Sequence, residues 1–128
     1  MQAINDFGEL AVHYYKKLIA NSELPNTNGW EVTARDLGFS NSMVKKGCPK
    51  NAFLGLCSAG LIKDIPDGNY TRSIKNRAYA EICIKILKEN DELKKNPKDL
   101  WEKIPNKPKT YNHQMDVVCA LWNEGLIV

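Results

Sequence analysis

Hydrophobic residues recur every three or four positions along two long stretches of this chain, which predicts two amphipathic helices. The first predicted helix runs from about Asn5 to Asn21. The second runs from about Ser73, a residue suited to cap a helix N-terminus, to Asn90. The apolar residues of each repeat are expected to face the core: Phe7, Leu10, Ala11, Tyr14, Tyr15, Leu18 and Ile19 in the first helix, and Ala80, Cys83, Ile84, Ile86 and Leu87 in the second.

Two shorter helices are predicted where a tryptophan follows a capping residue. Asn28–Glu31 and Asp99–Glu102 both have the spacing of a capping box, and Asn96-Pro97 offers an earlier start for the second helix. We interpret Trp30 and Trp101 as core anchors between helices, with ligand stacking as the alternative.

Each half of the chain closes on the same stop pattern, a leucine followed four residues later by Gly-Leu-Ile. In the first copy Gly60 is expected to be left-handed, so that Leu61 contacts Leu56 in a Schellman cap. Gly125 takes the same place in the second copy. Two helices with one type of C-terminus are therefore predicted, ending near residues 60 and 125.

The order of these elements repeats along the chain, as expected of an internal duplication. Residues 10–24 align with residues 79–93 at an offset of 69, and the Gly-Leu-Ile stops align at an offset of 65. Chance similarity between amphipathic helices is the alternative. The sequence predicts one mainly α-helical domain, residues 1–128, built from two collinear three-helix halves of about 1–66 and 67–128.

The junction between the halves carries a turn signal, Pro66-Asp67-Gly68. A short β-hairpin at about residues 62–71 is one expectation here, and an irregular linker is the other. A helix followed by such a hairpin is similar to winged-helix proteins, with helices at 30–37 and 49–59 as the helix-turn-helix pair. The connection between those helices is longer than the usual turn of about 3–4 residues, so this is the weaker alternative.

Composition places the chain among ordinary globular domains. Its 128 residues are 43% hydrophobic and 26% charged, which excludes a disordered tail and a disulfide miniprotein. No apolar run approaches the roughly 20 residues that span a bilayer, and no signal-peptide pattern opens the sequence. The four cysteines lack metal-site spacing, so we expect reduced thiols in the cytoplasm, with no metal and no cofactor.

The most informative charges lie in a segment that the first half has and the second half lacks. Between its tryptophan and its final helix, the first half is six residues longer than the second, and the surplus falls within residues 38–50. Here lysines precede a helix whose first turn includes Pro49, which places Cys48 near the N-cap. Such a helix start suits a phosphate or a carboxylate, and it would also make the thiol more reactive.

Three interpretations of this segment stay open: contact with an anion or a nucleic-acid backbone, a reactive or redox thiol, and a structural turn with solvated lysines. The formal charge of +3 permits nucleic-acid binding but does not demand it. The first interpretation has eight candidate binding residues: Lys45, Lys46, Gly47, Cys48, Lys50, Asn51, Arg72 and Lys75.

No catalytic residue is predicted, because the sequence has no phosphate-binding glycine loop, metalloprotease motif or nucleophile elbow. His113 is interpreted as a surface or capping residue, and Asn112 as a cap for the last helix. The leading hypothesis is therefore a non-enzymatic module that contacts nucleic-acid phosphates.

The segment Lys46–Cys57 resembles a family of small, functionally uncharacterised bacterial proteins, through its sequence Lys-Gly-Cys-Pro-Lys-Asn-Ala-Phe-Leu-Gly-Leu-Cys. The resemblance covers most of the chain and implies a bacterial or phage-borne cytoplasmic protein, without implying an activity. It singles out a candidate shared site of Gly47, Cys48, Pro49, Lys50, Tyr70, Thr71 and Asn76.

The alternative function is a protein–protein interaction module, such as a regulator or inhibitor of another bacterial or phage protein. Aromatic side chains are common anchors in interfaces, and four tyrosines are candidates for exposed anchors: Tyr14, Tyr15, Tyr70 and Tyr111.

Overall fold

The computed structural model describes residues 6–105, 111 and 113–128. These residues are mainly helical and contain no β-strand, so the predicted mainly α class is confirmed. None of the described helices is long and apolar enough to cross a membrane. The helices are α1 (Phe7–Asn21), α2 (Thr27–Asp36), α3 (Asn41–Val44), α4 (Gly47–Ser58), α5 (Ile74–Glu89), a 3₁₀ helix (Asp91–Lys95), α6 (Pro97–Glu102) and α7 (Gln114–Asn123).

The surplus segment of the first half, residues 38–50, holds the short helix α3. The first half therefore has four helices where three were predicted. Asn5, the predicted start of the first helix, lies outside the described residues, and α1 begins at Phe7 with Asp6 as its cap.

Two of the predicted helix starts are correct and one is wrong. Ser73 caps α5, and Asn96 caps α6 with proline at the first helical position, as in the earlier of the two predicted starts. The cap of α2 is Asn26 rather than Asn28, because the Tyr14 hydroxyl accepts from the Asn26 backbone N–H at 3.0 Å and holds that residue at the helix start. Asn26 Oδ1 then accepts from the Gly29 N–H at 2.7 Å.

Both Gly-Leu-Ile stops form the predicted Schellman caps. Gly60 has a φ of +73°, and the Leu61 N–H donates to the Leu56 carbonyl at 3.1 Å. Gly125 has a φ of +72°, and the equivalent bond from Leu126 to the Leu121 carbonyl measures 3.0 Å.

The predicted hairpin at residues 62–71 does not form. Ile62 pairs instead with Ile127 in an antiparallel bridge, so the two Gly-Leu-Ile stops lie side by side. The chain then turns at Asp64, whose φ is +63°, and the Tyr70 N–H donates to the Ser58 hydroxyl at 2.9 Å rather than to residues 62–65. The winged-helix alternative therefore lacks the hairpin on which it was based.

The core forms where the first helix of each half packs on the last helix of the other half. Helix α1 packs on α7, α5 packs on α4, and α4 also contacts α7. Trp30 and Trp101 are completely buried in this core, as predicted. Each lies edge-on to a tyrosine ring, Tyr14 for the first and Tyr79 for the second.

Burial confirms some predicted core positions and corrects others. Cys57, Cys83 and Cys119 are buried, as predicted. Ile19 was expected in the core, but it is exposed in the last turn of α1. Tyr14 lies in the core, as its place in the apolar repeat predicts, and is not an exposed anchor: only 1% of its surface is accessible, because α1 turns this side towards α2 and α4.

Candidate functional site

Three helix N-termini meet at one cleft of about 710 Å³, which we call the three-helix cleft. Thr27 is the first residue of α2, Lys50 lies in the first turn of α4, and Ser73 is the cap of α5. Since the N-terminus of a helix carries a partial positive charge, the three helices together favour an anion here. The lining residues are Thr27, Lys50, Asn51, Asn69, Tyr70, Thr71, Arg72 and Ser73.

Five of these lining residues belong to the sites predicted from sequence: Lys50, Asn51, Tyr70, Thr71 and Arg72. The remaining candidates do not line the cleft, although they are close in sequence to residues that do. Lys46 is the N-cap of α4 and Cys48 is the second helical residue, so Cys48 lies near the N-cap and Pro49 in the first turn, as predicted. Lys75 and Asn76 lie in the first turn of α5. Sequence reasoning missed Thr27, Asn69 and Ser73 as cleft residues.

A buried carboxylate binds two of the predicted anion-binding lysines. Glu31, only 9% exposed, accepts from Lys45 Nζ at 2.9 Å and from Lys50 Nζ at 3.0 Å. Arg35 lies at 3.9 Å from the same carboxylate. The hydrogen bonds from Lys45 and Lys50 outweigh the desolvation of Glu31, so its pKa is lowered.

This cluster shows that one lysine of the surplus segment, Lys50, is not solvated. The side chain of Lys50 is only 11% exposed, whereas that of Lys45 is 58% exposed. One negative charge faces three positive ones, so the cluster keeps a net positive charge. It also holds Lys50 in a fixed position at the edge of the cleft.

A chain of hydrogen bonds begins among residues that line the cleft and continues beyond it to α7. Thr71 Oγ1 donates to Asn51 Oδ1 at 2.8 Å and accepts from the Ser73 N–H at 3.1 Å. Asn76 Nδ2 donates to the Ser73 hydroxyl at 3.0 Å. Gln114 Nε2, at the start of α7, donates to Asn76 Oδ1 at 3.3 Å. These bonds connect α4, α5 and α7. They bring together Thr71 and Asn76 of the predicted shared site with Asn51 of the predicted anion-binding residues.

Tyr70 has a structural part in this arrangement. Its hydroxyl donates to the Pro66 carbonyl at 2.7 Å, and its backbone N–H donates to the Ser58 hydroxyl at 2.9 Å. The Ser58 hydroxyl itself donates to the Leu54 carbonyl, at 2.9 Å. Tyr70 therefore fastens the connecting segment to α4 and presents its neighbours Thr71 and Arg72 to the cleft.

Three exposed cations around the cleft make no ion pair with any residue that the structure describes. Arg72 lines the cleft itself, while Lys46 and Lys75 lie at the starts of α4 and α5. An arginine presents a rigid fork of donors that matches a phosphate group, and the two lysines extend the positive charge along the surface.

A second cleft, of about 590 Å³, runs along α7 from its N-cap His113 to its last residue Asn123. His113 occupies the N-cap position with a φ of +67°, and its Nδ1 lies 2.6 Å from Asp116 Oδ2. The Tyr111 hydroxyl donates to Asp116 Oδ1 at 2.7 Å. The side chain of His113 is 44% exposed. Asn112, the predicted cap, lies outside the described residues.

Sequence reasoning treated His113 separately and missed Asp116, although a spacing of three residues places both on one side of a helix turn. Within residues 6–105, 111 and 113–128, no group of three or more His, Cys, Asp and Glu residues could hold a metal ion.

Comparison with known proteins gives one match. The model of a family described as a family of unknown function (DUF6979) matches residues 4–128, nearly the whole chain. No curated protein and no solved structure matches. The predicted likeness to an uncharacterised family is confirmed at this level.

Proposed function

The chain belongs to this family of unknown function, and we propose that it is a non-enzymatic binding protein whose three-helix cleft holds phosphate groups of a nucleic acid. The observation that carries the proposal is the convergence of three helix N-termini with Lys50 and Arg72 at one cleft. Helix N-termini attract anions through their N–H groups and dipole. Arg72 adds a full charge, and Lys50 adds a charge that Glu31 partly balances.

The charges beyond the cleft favour a polyanion over a single small anion. Lys46 and Lys75 are exposed and stand at the starts of two of the three helices. A nucleic acid places one phosphate after another along its backbone, so several separate cations contribute to its binding. The buried Glu31 supports this arrangement, because it holds Lys50 in place before any ligand arrives.

A binding measurement with a labelled oligonucleotide tests the proposal. We expect fluorescence anisotropy to show binding to a short single strand or its duplex at low salt, with an affinity that falls as the salt concentration rises. Arg72→Gln should weaken binding and reduce the salt slope by about one phosphate contact. Lack of binding at low salt, or binding without salt dependence, would contradict the proposed function.

Lys88→Gln is the matched control, because it removes the same charge from an exposed position on α5. Lys88 lies thirteen residues after Lys75, roughly 20 Å along the helix at about 1.5 Å per residue. It should change the affinity less than Arg72→Gln does. Equal effects of the two variants would show that binding depends on overall charge and not on the cleft.

The protein-interaction alternative has less support. Tyr14 and Tyr15 are buried and cannot serve as anchors. Tyr70 and Tyr111 are half-buried, and their hydroxyls donate to the Pro66 carbonyl and to Asp116, within the chain. A reactive Cys48 stays a prediction, since the thiol is half-buried and free.

We also propose that the fold arose by duplication, and the reciprocal packing of the halves supports this. The bridge between Ile62 and Ile127 joins equivalent positions of the two stops. Its hydrogen bonds are reciprocal as well, with Lys63 N–H donating to the Leu126 carbonyl at 2.8 Å and Val128 N–H donating to the Leu61 carbonyl at 3.0 Å. Each bond maps onto the other at the offset of 65.

Equivalent positions of the two halves also meet where the helices cross. Where α1 crosses α7, Gly8 lies so close that a Cβ atom there would be 2.7 Å from Ala120 Cβ. Where α5 crosses α4, Gly55 approaches Arg77 equally closely. Gly8 aligns with Arg77 at the offset of 69, and Gly55 aligns with Ala120 at the offset of 65. The same two positions therefore meet at both crossings, which chance similarity of helices does not explain.

A further inference from the structure

At the start of α7, Asp116 and Tyr111 fix the ring orientation of His113. Asp116 Oδ1 accepts from the Tyr111 hydroxyl, and Asp116 Oδ2 lies 2.6 Å from His113 Nδ1. A carboxylate at this distance favours the proton on Nδ1 and fixes the ring orientation. Burial and the neighbouring Asp116 raise the pKa of Tyr111, so its hydroxyl stays a hydrogen-bond donor to the carboxylate.

The other ring nitrogen of His113 is free to react. Nε2 makes no hydrogen bond with any residue that the structure describes, and the side chain is 44% exposed. With the proton on Nδ1, the lone pair of the imidazole is on Nε2, which is the arrangement of an activated nucleophile. The ring also lies 5.1 Å from the ring of Phe7, which limits its movement.

The second cleft can accommodate an anionic group beside this histidine. Lys94 and Lys95 line the cleft with His113. Their ion pairs, with Asp91 and Glu92, are surface pairs that are readily exchanged for a phosphoryl oxygen. Two carboxylates also line the cleft: that of Asp6 accepts from the Gly8 N–H, and that of Asp116 binds His113 and Tyr111.

We infer that His113 is a phosphoryl-acceptor site, which takes its phosphoryl group at Nε2 from a donor with a phosphorus–nitrogen bond. The Nε2 lone pair attacks phosphorus and forms a new nitrogen–phosphorus bond. The phosphorus–nitrogen bond of the donor breaks, and the leaving amine departs with the electron pair. The Nδ1 proton stays on the ring, where Asp116 balances the positive charge of the phosphorylated imidazole. This site is separate from the three-helix cleft.

Reaction of the full chain with phosphoramidate tests the inference, because the chain has one other histidine as an internal control. His13 is exposed on α1 and makes no hydrogen bond with a described residue. Mass spectrometry should show phosphorylation of His113 about tenfold faster than that of His13, an effect typical of one charge-assisted hydrogen bond. The phosphate should be on Nε2. In denaturant the two histidines should react at the same rate.

Asp116→Asn should lower the rate at His113 to that of His13 and leave the rate at His13 unchanged. Since Asp116 also contributes to the start of α7, Tyr111→Phe provides a second variant that removes one bond to the carboxylate and keeps His113 bound to it. This variant should give an intermediate rate at His113. Equal rates at the two histidines of the folded protein, phosphate on Nδ1, or an unchanged rate in Asp116→Asn would overturn the inference.

Discussion

Replacement of Gly55 by alanine tests the close crossing of α4 and α5 in the core. A Cβ atom at this position would lie 2.7 Å from Arg77 Cα and 2.9 Å from Arg77 Cβ. Carbon atoms in contact prefer about 3.5–4.0 Å, so α5 would have to move away from α4 by about 0.8 Å. Because the nearest atom is part of the backbone, rotation of a side chain cannot relieve the clash.

Two opposing effects determine how much the free energy of unfolding falls in Gly55→Ala. Overpacking in a core costs about 1–3 kcal/mol, and alanine gains about 1 kcal/mol over glycine within a helix. We therefore expect Gly55→Ala to lower the free energy of unfolding by up to about 2 kcal/mol, measured by urea denaturation with circular dichroism.

Gly47→Ala is the control for this experiment, since it adds the same methyl group to the first residue of the same helix. Its nearest neighbour would be Asn51 Nδ2 at 3.5 Å, an ordinary contact. The free energy of unfolding of this variant should be unchanged or raised. If Gly55→Ala were as stable as Gly47→Ala, the close approach of α4 and α5 would be refuted.

Three further predictions concern the buried charge, the thiols and the halves. The pKa of Glu31 is lowered in the folded protein, so the ionised carboxylate stabilises the fold. This contribution is fully present above the ordinary carboxyl pKa, and it is lost as the pH falls through the lowered pKa of the folded state. Glu31→Gln should therefore lower the free energy of unfolding by about 1.5–3 kcal/mol at neutral pH and by less in acid. Urea denaturation that shows the same loss at both pH values would contradict this. A thiol reagent should label only Cys48 in the folded protein and all four cysteines in denaturant. The reason is that burial raises the pKa of the Cys57 and Cys83 thiols, and raises that of Cys119 to about 12. Rapid labelling of a second thiol in the folded protein would count against this burial. Fragments 1–66 and 67–128 should each be weakly helical and should gain helicity when mixed, since α1 packs on α7 and α5 on α4. If either fragment were fully helical on its own, the prediction that each half needs the other to form its helices would be wrong.

Local features of the fold were readable from the sequence because each depends on a few neighbouring residues. The Gly60 and Gly125 stops require only a residue able to take a positive φ and a leucine four residues earlier. The caps Ser73 and Asn96 follow from side chains that accept an N–H three residues on. The cap of α2 was misplaced, because the choice of Asn26 over Asn28 depends on a hydrogen bond from the Asn26 N–H to the hydroxyl of distant Tyr14.

The candidate site was readable only in part. Lys50, Asn51, Tyr70, Thr71 and Arg72 were singled out in sequence and all line the three-helix cleft. The sequence did not show that Glu31 binds two of the lysines, because nineteen residues separate it from Lys50. The pairing of Ile62 with Ile127 was likewise hidden, and a local hairpin was expected in its place.

The sequence by itself determined that the chain is mainly helical, where its two long helices lie, and where the helices before Gly60 and Gly125 stop. The tertiary structure decided which segments meet: three helix starts at one cleft, Glu31 between Lys45 and Lys50, and each first helix against the last helix of the other half. The physical reason is that caps and turns are stabilised by local hydrogen bonds, whereas these tertiary contacts depend on how the apolar surface of the whole chain is buried.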